Sequence, residues 1–247
     1  MNILVCISKV PDTTSKIAFT DNNTKFDTAN VQFIVNPSDE WYALVRALEL
    51  KETLGSGNVT IVTVGPAEDD AIIRKALAIG ADDAVRINAN PQDSFYVAAQ
   101  IAEYAKTKNF DLILTGKETI DYNNAEVGGM IAELMGWEYI TPANKLDVNG
   151  SIARIESEVG GETRVLECEM PLVISAAKGM AEQRIPNMRG IMAARTKPIQ
   201  VVEPVAISAQ VAITQFEMPP AKAGVKLIDP ENMDELVRLL HDEAKVI

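Results

Sequence analysis

The densest run of groups that could do chemistry is Gly116-Lys117-Glu118-Thr119-Ile120-Asp121-Tyr122-Asn123-Asn124-Ala125-Glu126-Val127-Gly128. It follows a buried apolar run at 112–115 and precedes a helical pattern. That chemistry would be phosphate binding, because N–H groups at a helix N-terminus favour anions and glycine lets the backbone come close. A plain strand–helix loop with Asn123 or Asn124 as N-cap fits the same letters, and the run is neither a P-loop nor a GxGxxG fingerprint. Asn36-Pro37-Ser38-Asp39 is a second polar loop, in which Pro37 fixes the turn and Ser38 or Asp39 caps the next helix. Gly65-Pro66-Ala67 is a third tight turn. Three such loops on one edge would supply the base, ribose and phosphate contacts of a mononucleotide together.

Other chemistries have fewer candidates. The sole histidine, His241, falls in a C-terminal helical pattern, where it reads as a surface or packing residue and not a general base. Cys6 and Cys168 stand in or beside strand patterns without CxxC spacing and read as two buried reduced thiols. One histidine and two cysteines make a poor metal set. No carboxylate pair has a spacing that demands acid–base work, which argues against a hydrolase. The formal charge of −12 argues against sequence-independent nucleic-acid binding. Locally the balance reverses, because Lys178, Arg184, Arg189, Arg195 and Lys197 fall within 20 residues. The longest apolar runs, such as 1–7 and 59–64, are strand-sized, so no membrane insertion is expected. No signal-like stretch precedes the first strand, and the chain is expected to stay where it is made.

The elements that must position these loops come from periodicity. Strands are expected at 2–7, 59–64, 84–87, 111–115 and 170–175, with helices at 39–51, 68–79, 94–106 and 125–135 between them. Segments 151–155 and 163–169 flank Gly160-Gly161 as a β-hairpin. Strands alternating with 10–15-residue helices give an α/β fold with a doubly wound, mostly parallel, Rossmann-like sheet. In such sheets ligands bind outside the carboxyl ends of the strands. The loops after Ile7, Val35, Val64 and Thr115 are therefore where a ligand belongs. Beyond Ala176 the alternation stops, prolines recur, and only 231–244 looks helical, which suggests an arm that wraps a partner chain. The division expected is 1–176 for the nucleotide-binding domain, 177–198 for a recognition loop and 199–247 for a C-terminal arm and helix.

Several stretches together resemble the electron-transfer flavoprotein β (small) subunit family over essentially the whole chain. They are Ile3-Leu4-Val5-Cys6-Ile7-Ser8-Lys9-Val10-Pro11-Asp12, Asn36-Pro37, Gly65-Pro66-Ala67, Ala76-Leu77-Ala78-Ile79-Gly80-Ala81-Asp82 and Gly116-Lys117-Glu118-Thr119-Ile120-Asp121. Met170-Pro171-Leu172-Val173-Ile174, residues 184–197 and Pro219-Pro220-Ala221-Lys222-Ala223-Gly224-Val225 complete the set. The resemblance implies an electron carrier and not an enzyme, as one half of a heterodimer with an α subunit that holds most of a redox-active FAD. It implies an AMP in this subunit, or in the bifurcating branch of the family a second FAD in its place. Carried over by position, the nucleotide contacts are Cys6, Asn36, Pro37, Ser38, Asp39, Ile61 and Gly116 through Val127. Thr13 and Ser38 stand where the family places aromatics beside the flavin. Residues 178–195 match a recognition loop that docks acyl-CoA dehydrogenases, with Met188 or Ile185 as the apolar anchor and Arg184 and Arg189 flanking it. A quinone oxidoreductase would accept the electrons. The implied location is cytoplasmic in a bacterium and the mitochondrial matrix for eukaryotic relatives. A different class on the same fold, a stand-alone ATP-binding protein of universal-stress type, predicts a homodimer without flavin.

Overall fold

The computed structural model describes residues 1–247 except Ser38 and Ala223. The chain opens with β1 (Asn2–Cys6), β2 (Lys9–Pro11), β3 (Phe19–Thr20), β4 (Lys25–Phe26) and β5 (Phe33–Val35), followed by α1 (Asp39–Leu54). Then come β6 (Asn58–Val64), α2 (Asp70–Ile79), β7 (Asp83–Ile87), α3 (Ser94–Lys106), β8 (Leu112–Gly116) and α4 (Val127–Met135). The strands β9 (Glu138–Ala143), β10 (Lys145–Asn149), β11 (Ile152–Val159), β12 (Glu162–Glu169) and β13 (Leu172–Ala176) follow. The chain closes with α5 (Met188–Thr196), β14 (Ile199–Val202) and α6 (Met233–Leu239).

Seven strands form one parallel sheet in the order β14-β7-β6-β1-β8-β13-β9. From β1 the order runs outward through β6, β7 and β14 on one side. On the other side lies β8, with β13 inserted between it and the edge strand β9, so the switch point lies between β1 and β8. This is the α/β, doubly wound architecture the sequence predicts. Alternate residues of β1 point to opposite faces, as a pleated strand requires. Ile3 and Val5 join a core with α1, α2 and residues of β10 and β11, whereas Leu4 and Cys6 join one with α3 and α4. Burial on both faces explains the continuous apolar runs of these strands.

Close backbone packing fixes where α1 and α4 sit on the sheet. A Cβ built on Gly116 would lie 2.8 Å from Glu40 Cγ and 3.0 Å from its backbone nitrogen. One built on Gly128 would lie 2.7 Å from the Tyr139 hydroxyl and 2.8 Å from Thr115 Oγ1. Glycine at both positions lets the helix starts press onto the carboxyl end of β8. The hairpin of β11 and β12 turns through Gly160 and Gly161, both at positive φ (63° and 81°), the conformation a two-residue hairpin loop needs.

Several expectations need correction. The stretch after Ala176 is not irregular up to residue 231. Asn187 caps α5 by accepting from the Gly190 N–H at 2.8 Å, and β14 adds to the central sheet beside β7. The recurring prolines hide both elements from periodicity. Helix α2 starts at Asp70 after a 3₁₀ turn at Ala67–Asp69, and α4 starts at Val127, two residues later than expected. Cys168 is only partly buried, because β12 lies along the outside of the three-stranded β10-β11-β12 sheet. Cys6 is buried as expected.

Candidate nucleotide site and docking face

At the carboxyl edge of the sheet the expected loops meet through one side chain. Asn36 follows β5 directly and is fully buried, with 0% exposure. Its Nδ2 donates to the Glu118 carbonyl at 3.0 Å, and its Oδ1 accepts from the Ile120 N–H at 3.0 Å. Its own N–H donates to the Ser8 carbonyl at 3.0 Å. One asparagine thus ties the turn after β1 to the loop after β8. Beyond the clamp, residues 120–126 of that loop are exposed. Pro37 makes the turn into α1, of which Asp39 is the first residue and not the cap. Ser38, expected as a cap, a nucleotide contact and a flavin neighbour, lies outside the described residues.

The loop of residues 117–126 carries strained backbone where it re-enters the helix. Asn123 and Ala125 sit at φ 53° and 55°, a left-handed conformation that is costly for alanine. Neither asparagine caps α4, contrary to one reading of the sequence. Glu126 occupies the cap position and makes no side-chain cap hydrogen bond, and the first turn is Val127-Gly128-Gly129. Beneath it, Thr115 Oγ1 is buried without a hydrogen-bond partner among the described residues. An uncapped helix start lined with glycine, above an orphan hydroxyl, has backbone N–H donors of the kind a phosphate oxygen would use. The residues present therefore fit a nucleotide phosphate at this point.

The electrostatics of the edge centre on Glu40 in α1. The Ser8 N–H donates to Glu40 Oε2 at 2.6 Å, and the Ser8 hydroxyl lies 2.7 Å from Oε1. Burial pushes the Glu40 carboxyl up to about 8, against the two Ser8 hydrogen bonds, with the nearby charges of Asp121 and Asp39 adding to the rise. Burial also raises the Cys6 thiol, and Glu40 raises it further, so Cys6 is an inert apolar neighbour of the site. Asp39 is raised as well, by burial first, with Lys117 opposing. The Gly65-Pro66-Ala67 turn reaches the same edge from the end of β6. Lys9 in β2 forms an ion pair with the buried Asp69 beside that turn, and β2 pairs with β5 just before Asn36.

The second expected region lies around α5. Ile185 and Met188 are exposed at 81% and 73%, and Met192 in the next turn is exposed as well. Arg184 donates to both carboxylate oxygens of Glu52 at 2.8 and 3.1 Å. The Lys197 ammonium donates to the Ala81 carbonyl, and partial burial lowers its pKa. The basic cluster expected from the sequence is therefore split, because these two cations have internal partners.

Comparison with known proteins identifies the family of the chain. Residues 24–207 match the family model described as the Electron transfer flavoprotein domain. The Electron transfer flavoprotein subunit beta of Bacillus subtilis (strain 168) is 36% identical over 261 residues, covering 100% of both chains. The chain belongs to the electron transfer flavoprotein family. The human subunit beta is 30% identical over 256 residues, covering 100% of this chain and 99% of its own. A relative from Oryza sativa subsp. japonica, whose name adds "mitochondrial", is 34% identical with full coverage of both. Among the positions the family resemblance marks, Asn36 to Asp39, Gly116 to Val127 and Cys6 gather at the carboxyl edge wherever they are described. Ile61 does not. It is fully buried in the middle of β6, opposite Val5 and Ala84, within the α1–α2 core. Glu40, Ser8 and Thr115 escaped the sequence reading, and only their position beside the loops could have flagged them. No described helix is long and apolar enough to cross a membrane.

Glu40 yields a signed pH prediction. Its folded pKa is raised above the unfolded value of 4.5 to about 8, so folding favours the neutral acid. Its contribution is fully present below pH 4.5 and is lost as pH rises toward 8. Glu40→Gln copies the neutral acid, since its amide can accept from the Ser8 N–H and donate to the hydroxyl. Relative to wild type, the variant should gain roughly 1–3 kcal/mol between about pH 5 and about pH 9. Thermal or urea melts across that range measure the difference, and a difference that stays flat with pH would contradict the assignment.

Proposed function

We infer that this chain is the β subunit of a heterodimeric electron-transfer flavoprotein, an electron carrier and not an enzyme with its own catalytic residues. In this reading it holds AMP at the carboxyl edge, pairs with an α subunit that carries most of the FAD, and receives electrons through docked acyl-CoA dehydrogenases. A quinone oxidoreductase takes the electrons from the heterodimer. The observation that carries the nucleotide part is the Asn36-clamped loop above the switch point, with the uncapped start of α4 and the orphan Thr115 hydroxyl beneath it. When bound, FAD supplies the electron acceptance and release. The chain's residues orient and enclose. Asn36 fixes the loop, Gly116 and Gly128 let both helix starts approach, and the first-turn N–H groups of α4 face the phosphate position.

The α-subunit partner is supported by the C-terminal arm. Val211, Ile213, Met218, Val225 and Leu227 are all exposed along it, and Leu227 reaches 92%. Apolar side chains in such a run need a cover, which a second chain supplies. Docking of dehydrogenases is supported by the projecting Ile185 and Met188. A flexible methionine suits a surface that must fit more than one partner.

Co-expression with an α subunit, followed by extraction and counting of released nucleotides, tests this function. AMP and FAD should appear in equal amounts per heterodimer. Doubled FAD without AMP would assign the bifurcating type, and a flavin-free homodimer would sink the carrier reading. In the intact heterodimer, Met188→Ala should slow electron transfer from an acyl-CoA dehydrogenase by roughly ten-fold, in the range of a hot-spot truncation. Bound nucleotide should not change. An unchanged rate would reject Met188 as the anchor.

A further inference from the structure

Beside the exposed Met188 lies a cleft of about 510 Å³ between α2 and the segment 186–195. Its walls are Ala78, Pro186, Ile191 and Ala194, and its rim carries Arg74, Lys75 and Arg195. The backbone builds this cleft deliberately. A Cβ on Gly190 would lie 2.3 Å from the Ala78 carbonyl oxygen, so glycine brings α5 onto α2. Arg74 Nη1 then donates to the Ala194 carbonyl at 2.6 Å and to the Lys197 carbonyl, fixing the far end of α5.

The charges around the cleft run against the rest of the molecule. The chain has 35 acidic and 23 basic residues, so most cations have carboxylates within reach. Close by, Lys9 pairs with Asp69, Lys51 with Asp82 and Arg184 with Glu52. Lys75, Arg189 and Arg195 form no ion pair among the described residues, whereas Arg74 is already held by the Ala194 and Lys197 carbonyls. Lys75 makes a 3.4 Å contact to the Phe33 carbonyl, and its charge adds to the Thr14 hydrogen bonds in lowering the Asp12 carboxyl. Unpaired cations at the mouth of an apolar cleft call for an occupant that brings both an apolar side chain and carboxylates.

We propose that this cleft receives an acidic segment of the docking partner, an apolar side chain flanked by carboxylates, so that docking is reciprocal. Met188 enters the partner while the partner enters the cleft. The proposal rests on the reading of residues 177–198 as a docking region. The chain's own arm is tethered elsewhere. Val205 exchanges two hydrogen bonds with Gln100 on α3, at 2.8 and 2.9 Å, and Asp93 accepts from the Gln210 and Val211 N–H groups. Helix α3 lies on the opposite face of the sheet from α2. Farther along, Phe216 stacks on Phe19 at 4.7 Å.

The test uses the FAD-loaded heterodimer and an acyl-CoA dehydrogenase, with electron-transfer rates measured against flavoprotein concentration and ionic strength. Lys75→Glu with Arg195→Glu should raise KM on the order of ten-fold at low salt, leave kcat unchanged and flatten the salt dependence. Ile191→Asn should raise KM with the salt dependence retained. If the reversed variant loses its FAD, Lys75→Gln and Arg195→Gln carry the same test with smaller shifts in the same direction. Unchanged KM in the rim variants, with Met188→Ala still slow, would overturn the cleft and leave the docking reading intact. No effect from either set would overturn both. A change in sedimentation of the heterodimer alone would assign the cleft to a second copy and also overturn the proposal.

Discussion

The carboxyl edge of this protein is organised by the buried amide of Asn36. A primary amide without partners in the interior costs several kilocalories per mole, so its burial is tolerable only with its bonds made. Here both ends are used on backbone groups of one distant loop, the carbonyl of Glu118 and the N–H of Ile120. The side chain behaves as a short piece of strand inserted between two loops. Because Asn36 is itself held by the Ser8 carbonyl, the turn after β1, the start of α1 and the loop after β8 form one unit. That unit stands over the switch point, where a doubly wound sheet leaves room for a ligand.

Close packing carries the constraint outward. Gly116 lets α1 press onto the end of β8, which in turn buries Glu40 against Ser8. Burial pushes that carboxyl up to about 8, which favours the neutral acid beside Cys6 and adds less negative charge to the edge than an ordinary glutamate would. Gly128 does the same for α4 on the other side of the sheet, over the Thr115 hydroxyl. The outcome is a small zone with backbone donors, of the kind that suits a phosphate. The exposed Glu126 and Asp121 stay at its margin.

Five of the seven sheet strands and the four flanking helices were legible because strands buried on both faces leave continuous apolar runs, and amphipathic helices leave a different period. The edge strands β9 and β14 were not. The location of the site followed from that architecture. Elements held by partners distant in sequence were not legible. Strand β14 is short and bounded by proline, and it becomes a strand only because β7 offers an edge. Helix α5 has an exposed apolar face, so its periodicity does not resemble that of a core helix. Asn36 was singled out for its place in a turn, whereas its importance lies in bonds to residues 82 and 84 positions away. Asn123 and Asn124 have the right letters for a cap, yet the left-handed backbone at Asn123 and Ala125 carries the chain past them before the helix begins. Arg184 and Lys197 belonged to a cationic run in the sequence, and the fold gives each an internal partner.

The carboxyl edge is proposed as a nucleotide site whose wall is ordered by Asn36, separate from the α5 face proposed to dock partners. The most direct measurement is nucleotide retention by Asn36→Leu in the heterodimer, since leucine keeps the buried volume and removes both side-chain hydrogen bonds. The account predicts that AMP falls at least about ten-fold after gel filtration, in line with the loss of two buried hydrogen bonds. FAD content and the helical signal should be retained. AMP still present at the wild-type ratio would contradict the central claim.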